Sequence, residues 1–302
     1  LDGAALDARL ATLLRTLGAL PLFDGELPNK AYDAKTARMT DYGNRPAPRG
    51  IGFSAVDLGR LVSALALAGD LRPAAREAIA RALGRWNTCR LASGGELRGV
   101  HRGADGQPRL LQEGRLGYEQ YAGKGLALLG LDTAQARSYG RHLAETELLG
   151  VPVPHDARDR TRFGAVDALV TEPWALDGLE FGLAEGGAPL AARVFEVQKR
   201  RWERTGIPTA LSEDHVDRAP WFVYDGILAE GRPWTTVDPE GKEVRGLRGL
   251  STKAAFALAA LHPDDPYARV LRRAIEGARD PERGWFASLY EAGGPNRALT
   301  AN

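Results

Sequence analysis

Apolar residues along this chain recur mostly three and four positions apart, the spacing that gives a helix one buried stripe. The pattern predicts helices over roughly 4–17, 53–68, 73–87, 118–131, 133–147, 172–184, 188–204, 251–261 and 266–278. Period-two alternation is short and local: "GVPVP" (150–154), "WFVYDG" (221–226) and "PWTTV" (233–237). The helices are of two alternating kinds. One kind is small and apolar nearly all round, as in "FSAVDLGRLVSALALAG", "YEQYAGKGLALLGL", "TEPWALDGLEFGLA" and "STKAAFALAAL". Each precedes an amphipathic helix rich in Arg and Glu, such as "PAAREAIARALGRW" or "TAQARSYGRHLAETEL". A helix apolar on all faces belongs inside and an amphipathic one at the surface. Hairpins of that kind, repeated around a ring, predict an all-α fold of inner and outer layers, an α/α toroid with minor short strands. No fixed period or shared motif marks the repeats, so they are structural only.

Connections entering the apolar helices are long, roughly 19–52, 88–117, 148–171 and 205–250, whereas those leaving them are short. Gly and Pro, 36 and 18 residues, concentrate in these breaks and punctuate the helices. Long irregular loops in a compact domain are usually functional. In a toroid they would gather on one rim, at the N-terminal ends of the inner helices. A single domain over 1–302 is the expectation.

Composition narrows the function. The 40 basic and 39 acidic residues are interspersed and leave a formal charge of +1, which gives no footprint for nucleic acid or an anionic membrane. No window reaches the roughly 18 apolar residues of a membrane span. The start, "LDGAALDARLATLLRTLG", does not read as a signal peptide, since Asp2, Asp7 and Arg9 interrupt it. Cys89 is the one cysteine, which excludes an internal disulfide and a Cys-based metal site.

The segment "SEDHVDRAPWFVYDG" (212–226) sets Glu213, Asp214, His215, Asp217 and Asp225 among Trp221, Phe222 and Tyr224. A zinc site is disfavoured: the five histidines are scattered, and neither H-E-x-x-H nor a His pair at i, i+4 occurs. An oxygen-liganded Ca²⁺ stays open; otherwise no cofactor is expected. Paired carboxylates suit glycoside cleavage, which needs a protonated acid at the glycosidic oxygen and a second carboxylate as base or nucleophile. Burial against aromatic walls would raise the acid's pKa. Glu213 is the first choice for that acid, with Asp214 the fallback. Trp174, Trp221, Tyr224 and Trp234 fall in or beside the long loops, where their faces could hold pyranose rings or simply close the core. Glu119, with Tyr121 and Lys124 on the same helix, could line a cavity or only favour the helix dipole. Glu172 in "TEPW" could touch substrate or compensate a helix start. Asp41 and Tyr42 in the polar loop "TDYGNR" suit sugar hydroxyls, and Arg297 in "PNRALTAN" could bind an anionic group or a rim acid. The G-x-S-x-G elbow, the P-loop and the dinucleotide fingerprint are absent.

The stretches "TARMTDYGNRPAPRGIGFSAVDLGR", "TEPWALDGLEFG", "TALSEDHVDRAPWFVYD" and "YEAGGPNRALTAN" together resemble a bacterial family of unknown function associated with envelope polysaccharide genes, over roughly 24–302. More distantly they are similar to the glycoamylase-like superfamily. That group includes endo-β-1,2-glucanases and the transglycosylation domain of cyclic β-1,2-glucan synthases, which are (α/α)6 toroids. The resemblance implies an (α/α)6-type toroid, a glucan or exopolysaccharide as partner, and a cell-envelope setting. It also makes Asp57 a candidate active-site acid, although Ser54-x-x-Asp57 equally reads as a capping box. Related glucanases carry a second acid three residues after that Asp, where this chain has Arg60. Helices of the pattern number about nine rather than twelve, and the chain stops at "RALTAN", where another inner helix is expected.

The resulting expectation is a glycoside hydrolase or transglycosylase, with Glu213, Asp214, Glu119 and Asp57 as candidate catalytic carboxylates. Asp41, Tyr42, Arg60, Tyr121, Lys124, Glu172, Trp174, Asp217, Trp221, Tyr224, Trp234 and Arg297 are candidate substrate contacts. The alternative is a noncatalytic glycan-binding or scaffold subunit of an exopolysaccharide synthesis system.

Overall fold

The computed structural model describes residues 3–103, 105–158, 168–228 and 232–299. Among those residues, 40% helix and 25% strand in five small sheets make the protein mixed α/β, which overturns the expected all-α, (α/α)6-type toroid. The difference lies in the connections. Stretches that carry no helical period, and one that does, pair into hairpins there.

Residues 133–147 show why. Their spacing mimics an amphipathic helix, but only Ala134–Arg137 is helical, and Leu143–Leu148 is a strand. That strand pairs residue by residue with Val151–Asp156. Leu149 and Gly150, at φ 56° and 76°, make the two-residue turn between them. Such a turn needs positive φ at both positions and matches the twist of paired strands. Pairing over six residues outweighs a helical period that Gly140 already interrupts.

Contacts group the chain into two compact units. The first comprises Leu1–Gly114 and Tyr118–Ser138. It contains helices α1 (Gly3–Ala19), α2 (Ala55–Leu71), α3 (Arg76–Leu83), α4 (Tyr118–Ala127) and α5 (Ala134–Arg137). Its strands are β1 (Leu22–Phe23), β2 (Leu27–Pro28), β3 (Gly52–Phe53), β4 (Ala92–Ser93), β5 (Glu96–Arg102) and β6 (Pro108–Gln112). β1 and β2 form a ribbon, while β3, β4 and β6 all pair with β5. Phe23, Leu27, Phe53, Leu58, Val62, Leu97 and Leu126 are in its core.

Helices α2 and α4 pack so closely that their backbones touch. A Cβ added at Gly59 would lie 2.6 Å from the Ala122 carbonyl oxygen, and one at Gly125 would lie 2.6 Å from Ser63 Oγ. Only glycine allows that approach. Gly125→Val is therefore expected to lower stability by about 2 kcal/mol or more, as overpacking does. Thermal unfolding would show a fall of several degrees, and an unchanged midpoint would contradict the packing described.

The second unit comprises Arg115–Gly117 and Tyr139–Asn302. It holds β7 (Leu143–Leu148), β8 (Val151–Asp156), β9 (Ala168–Leu169), α6 (Glu172–Phe181) and α7 (Gly187–Thr205). There follow β10 (Glu213–His215), β11 (Phe222–Leu228), β12 (Arg232–Val237), β13 (Gly249–Ser251), α8 (Thr252–Leu261) and α9 (Pro266–Ile275). The chain closes with β14 (Arg279–Asp280), β15 (Gly284–Tyr290) and β16 (Pro295–Leu299). β11 is flanked by β10, β12 and β9, and β15 by β13, β14 and β16. Helix α6 packs on α8, and α8 on α9. Asp265 caps α9 through the Tyr267 N–H at 2.8 Å, with Pro266 supplying the first turn. Tyr267, Leu271 and Ile275 then point inward.

Candidate functional site

In the second unit the site begins with the register of β10 on β11. Glu213 lies opposite Tyr224, Asp214 opposite Val223, and His215 opposite Phe222. Because side chains alternate across a strand, Asp214 goes to the buried face with Val223 and Asp225. Glu213 goes to the more open face with Phe222 and Tyr224. Asp214 is 7% exposed, whereas Glu213 is half-buried.

Two helix starts meet Asp214. Glu172, 4% exposed, opens α6, and Lys253 is the second residue of α8, which runs directly on from β13. The Lys253 ammonium forms an ion pair with Glu172 and lies 4.0 Å from an Asp214 oxygen. Burial pushes the Asp214 carboxyl up to about 8. Lys253 and the Ser251 hydroxyl oppose that rise, while the negative charges of Glu172 and Asp225 add to it. The Ser251 hydroxyl is buried beside that carboxyl.

Asp225, also buried, is pushed up to about 7, again chiefly by burial. It accepts hydrogen bonds from the Gly249 N–H at 2.9 Å and the Thr236 hydroxyl at 3.2 Å, and Arg248 stands 3.7 Å away. Glu291 is held by Arg201 through two hydrogen bonds of 2.7 and 3.1 Å. The same guanidinium lies 5.0 Å from the Trp234 ring centre and donates to Thr209 Oγ1 at 2.7 Å. Burial that raises a carboxyl's pKa suits acid/base chemistry.

The other predicted residues of this unit are dispersed. Trp174 is buried and stacks on Tyr139 at 5.7 Å, so it closes the core. Asp217 accepts from the Arg297 backbone N–H at 3.0 Å, the Tyr290 hydroxyl at 2.8 Å and Arg218 at 2.9 Å. Burial would raise it, but those donors win and leave it below the usual carboxylate range. Asp217 thus pins β16 to the β10–β11 connection, and Arg297 contributes its backbone there while its side chain is exposed. Trp221, 63% exposed, sits at φ 74° ahead of β11. Phe222 packs edge-on against both Tyr224 and His215, each at 5.3 Å.

In the first unit, Ser54 caps α2 by accepting the Asp57 N–H at 3.2 Å, and the Asp57 side chain is exposed. Arg60 follows one turn later, half-buried. Asp41 folds its own loop, accepting the Gly43 and Arg45 N–H groups at 2.9 Å and Arg45 Nε at 2.7 Å. Tyr42 beside it is exposed. Glu119 is buried in the first turn of α4 and accepts from Gln112 Nε2 at 3.1 Å. Tyr121 and Lys124 are buried on the same helix.

Neither Glu113 nor Lys253 is among the site residues expected from the sequence. Glu113 follows β6, faces Lys30 at 3.3 Å and the Val56 N–H at 3.4 Å, and is raised by burial. Nothing in "PRLLQEG" marks it. Lys253 did leave a signal: a lone cation in the first turn of the apolar "STKAAFALAAL" opposes the helix dipole. Among the described residues, no group of three or more His, Cys, Asp or Glu side chains could hold a metal ion, and no helix is long and apolar enough to cross a membrane.

The chain belongs to the family described as "Protein of unknown function (DUF3131)", whose model matches residues 1–302. No curated protein matches it. Its fold is similar to a crystal structure of a Bacteroides fragilis NCTC 9343 protein described as a "putative glucoamylase". That likeness has a TM-score of 0.62 at 13% identity, covering 99% of this chain and 72% of the other.

Proposed function

We propose that the protein cleaves or transfers glycosidic bonds of a bacterial glucan, in the cell envelope, with Asp214 as proton donor and Glu172 as the opposing carboxylate. One observation carries the reading: a buried carboxyl pushed up to about 8 stands beside a carboxylate that already has its cation. Glycoside cleavage needs that division, one group protonated and one charged. Asp214 would give its proton to the glycosidic oxygen as the C–O bond breaks, so the leaving sugar departs as a neutral alcohol. Glu172, or a water it deprotonates, would supply the electron pair at the anomeric carbon. The fold likeness to the Bacteroides fragilis protein agrees with this class of chemistry.

Incubation with a panel of α- and β-glucans, read by chromatography, tests it. Shortened or re-joined chains from at least one glucan are expected, and no product from any of them would contradict the reading. The exposed Trp221 and the Tyr224–Phe222–His215 strip favour a second reading, a noncatalytic glycan-binding subunit. It predicts retention of the protein by a glucan gel with no product.

A further inference from the structure

The turn between β10 and β11 is held from two sides. Asn296 of β16, fully buried, accepts the Asp217 N–H at 3.0 Å and donates to the His215 carbonyl at 2.7 Å and to Ser288 Oγ at 3.0 Å. Asp217 in turn uses both carboxylate oxygens. One accepts the Tyr290 hydroxyl and Arg218 Nε, and the other accepts the Arg297 N–H at 3.0 Å. The Trp221 N–H closes the turn on the Arg218 carbonyl at 2.8 Å, and the Val216 N–H donates to the Trp221 carbonyl at 3.0 Å.

These bonds fix three large side chains that face outward. The Trp221 ring is 63% exposed, on a residue at φ 74°, a conformation that costs a bulky residue free energy. Arg218 lies 4.9 Å from the Tyr290 ring centre, and its side chain is 60% exposed. Arg297 is exposed too, and no carboxylate among the described residues lies within ion-pair range of its guanidinium. Two guanidiniums against the one carboxylate of Asp217 leave a positive charge in the turn that carries an open indole face. Arginine there suits a planar anion such as a carboxylate, and the indole offers a large apolar face. Continuity favours a glycan as the occupant. The turn runs directly on from β10, whose Asp214 is the proposed proton donor, and leads into Phe222 and Tyr224 of β11. A protein interface would want a wider desolvated core than one ring flanked by exposed Arg218 and Ala219.

We propose that Trp221, Arg218 and Arg297 form a subsite for an acidic sugar unit, with the indole stacking on the ring and the guanidiniums binding its carboxylate. This subsite rests on the glycan reading and adds that the polymer carries carboxylates. Calorimetry at low salt tests it with matched probes: α- and β-linked gluco-oligosaccharides, each neutral or with its primary alcohols oxidised to carboxylates. The oxidised form of at least one series is expected to bind about tenfold tighter than its neutral form, and high salt shrinks that margin. Arg297→Gln narrows it about threefold. That variant keeps the hydrogen bonds of the turn, because Arg297 holds Asp217 through its backbone. Trp221→Ala weakens both forms by a similar factor. Equal binding of the two forms, binding of neither, or a margin unmoved in Arg297→Gln overturns the proposal. So does tighter binding to phosphatidylglycerol vesicles, or a dimer that Trp221→Ala dissolves, since the surface would then serve a lipid or a second copy. Preference for the oxidised form in a protein that cleaves no glycan refutes the enzyme reading alone. Glucan cleavage without that preference refutes the acidic subsite alone.

Discussion

Asp214→Asn is expected to lower turnover about 10²–10⁴-fold, the usual loss when a general acid is removed, and to leave the protein as stable or more stable above pH 7. The second half follows from linkage. An unfolded Asp releases its proton near pH 4 (about 3.9), whereas Asp214 in the fold holds it to about 8. Between those values the folded state binds the extra proton, so stability falls as pH rises through the window. Above it, the folded protein carries a buried charge that the unfolded chain would hydrate, a cost of order a few kcal/mol. Asparagine keeps the shape, removes the charge, and leaves the Glu172–Lys253 pair in place. Chemical unfolding at pH 4.5 and pH 9, with kinetics beside it, checks both halves. A variant that turns over normally, or that loses more stability at pH 9 than at pH 4.5, would contradict the assignment.

Glu172→Ala is expected to cost about 3 kcal/mol. Removing one partner of a buried ion pair typically costs 3–5 kcal/mol, because the other charge is left without compensation. Asp214 moderates the loss, since it can ionise and take over Lys253 from 4.0 Å away. That rearrangement leaves no protonated acid at neutral pH, so turnover falls with stability. Urea unfolding at pH 7 gives the first number. A loss below about 1 kcal/mol would mean that the pair is no more than a surface ion pair in effect.

Much of this was legible along the chain where one period runs unbroken. The helices at Ala55–Leu71, Glu172–Phe181, Gly187–Thr205, Thr252–Leu261 and Pro266–Ile275 follow the apolar spacing closely. So do the strands Phe222–Leu228 and Arg232–Val237, where β-branched and aromatic residues alternate. The sheets around β5 and β15 were hidden. Only β3 on β5 and β13 on β15 pair over long range, while β6 is a hairpin partner whose sequence "PRLLQ", like "ELRGVHR", carries arginines that blur a period of two. The strand at Leu143–Leu148 was hidden for the opposite reason, a helical spacing that its partner strand overrides.

The candidate site divides in the same way. The two carboxyls within reach of Lys253, Glu172 and Asp214, belong to segments whose composition draws attention. Which of Glu213 and Asp214 turns inward does not follow from composition, because neighbours on a strand face opposite ways and only the pairing with Val223 and Tyr224 sets the sense. Lys253 lies 81 and 39 residues from its two carboxylates, and no local pattern links residues so far apart.

The most direct test of Asp214 as proton donor is the pH dependence of kcat/KM on two substrates. One is the glucan that the panel identifies; the other is an aryl glycoside of the same sugar, with a leaving group acidic enough to depart unprotonated. With Asp214 as donor, glucan cleavage is expected to fall tenfold per pH unit above about 8, while aryl glycoside cleavage holds level across the same range. Glucan cleavage that stays level, or rises, from pH 8 to pH 10 would contradict it.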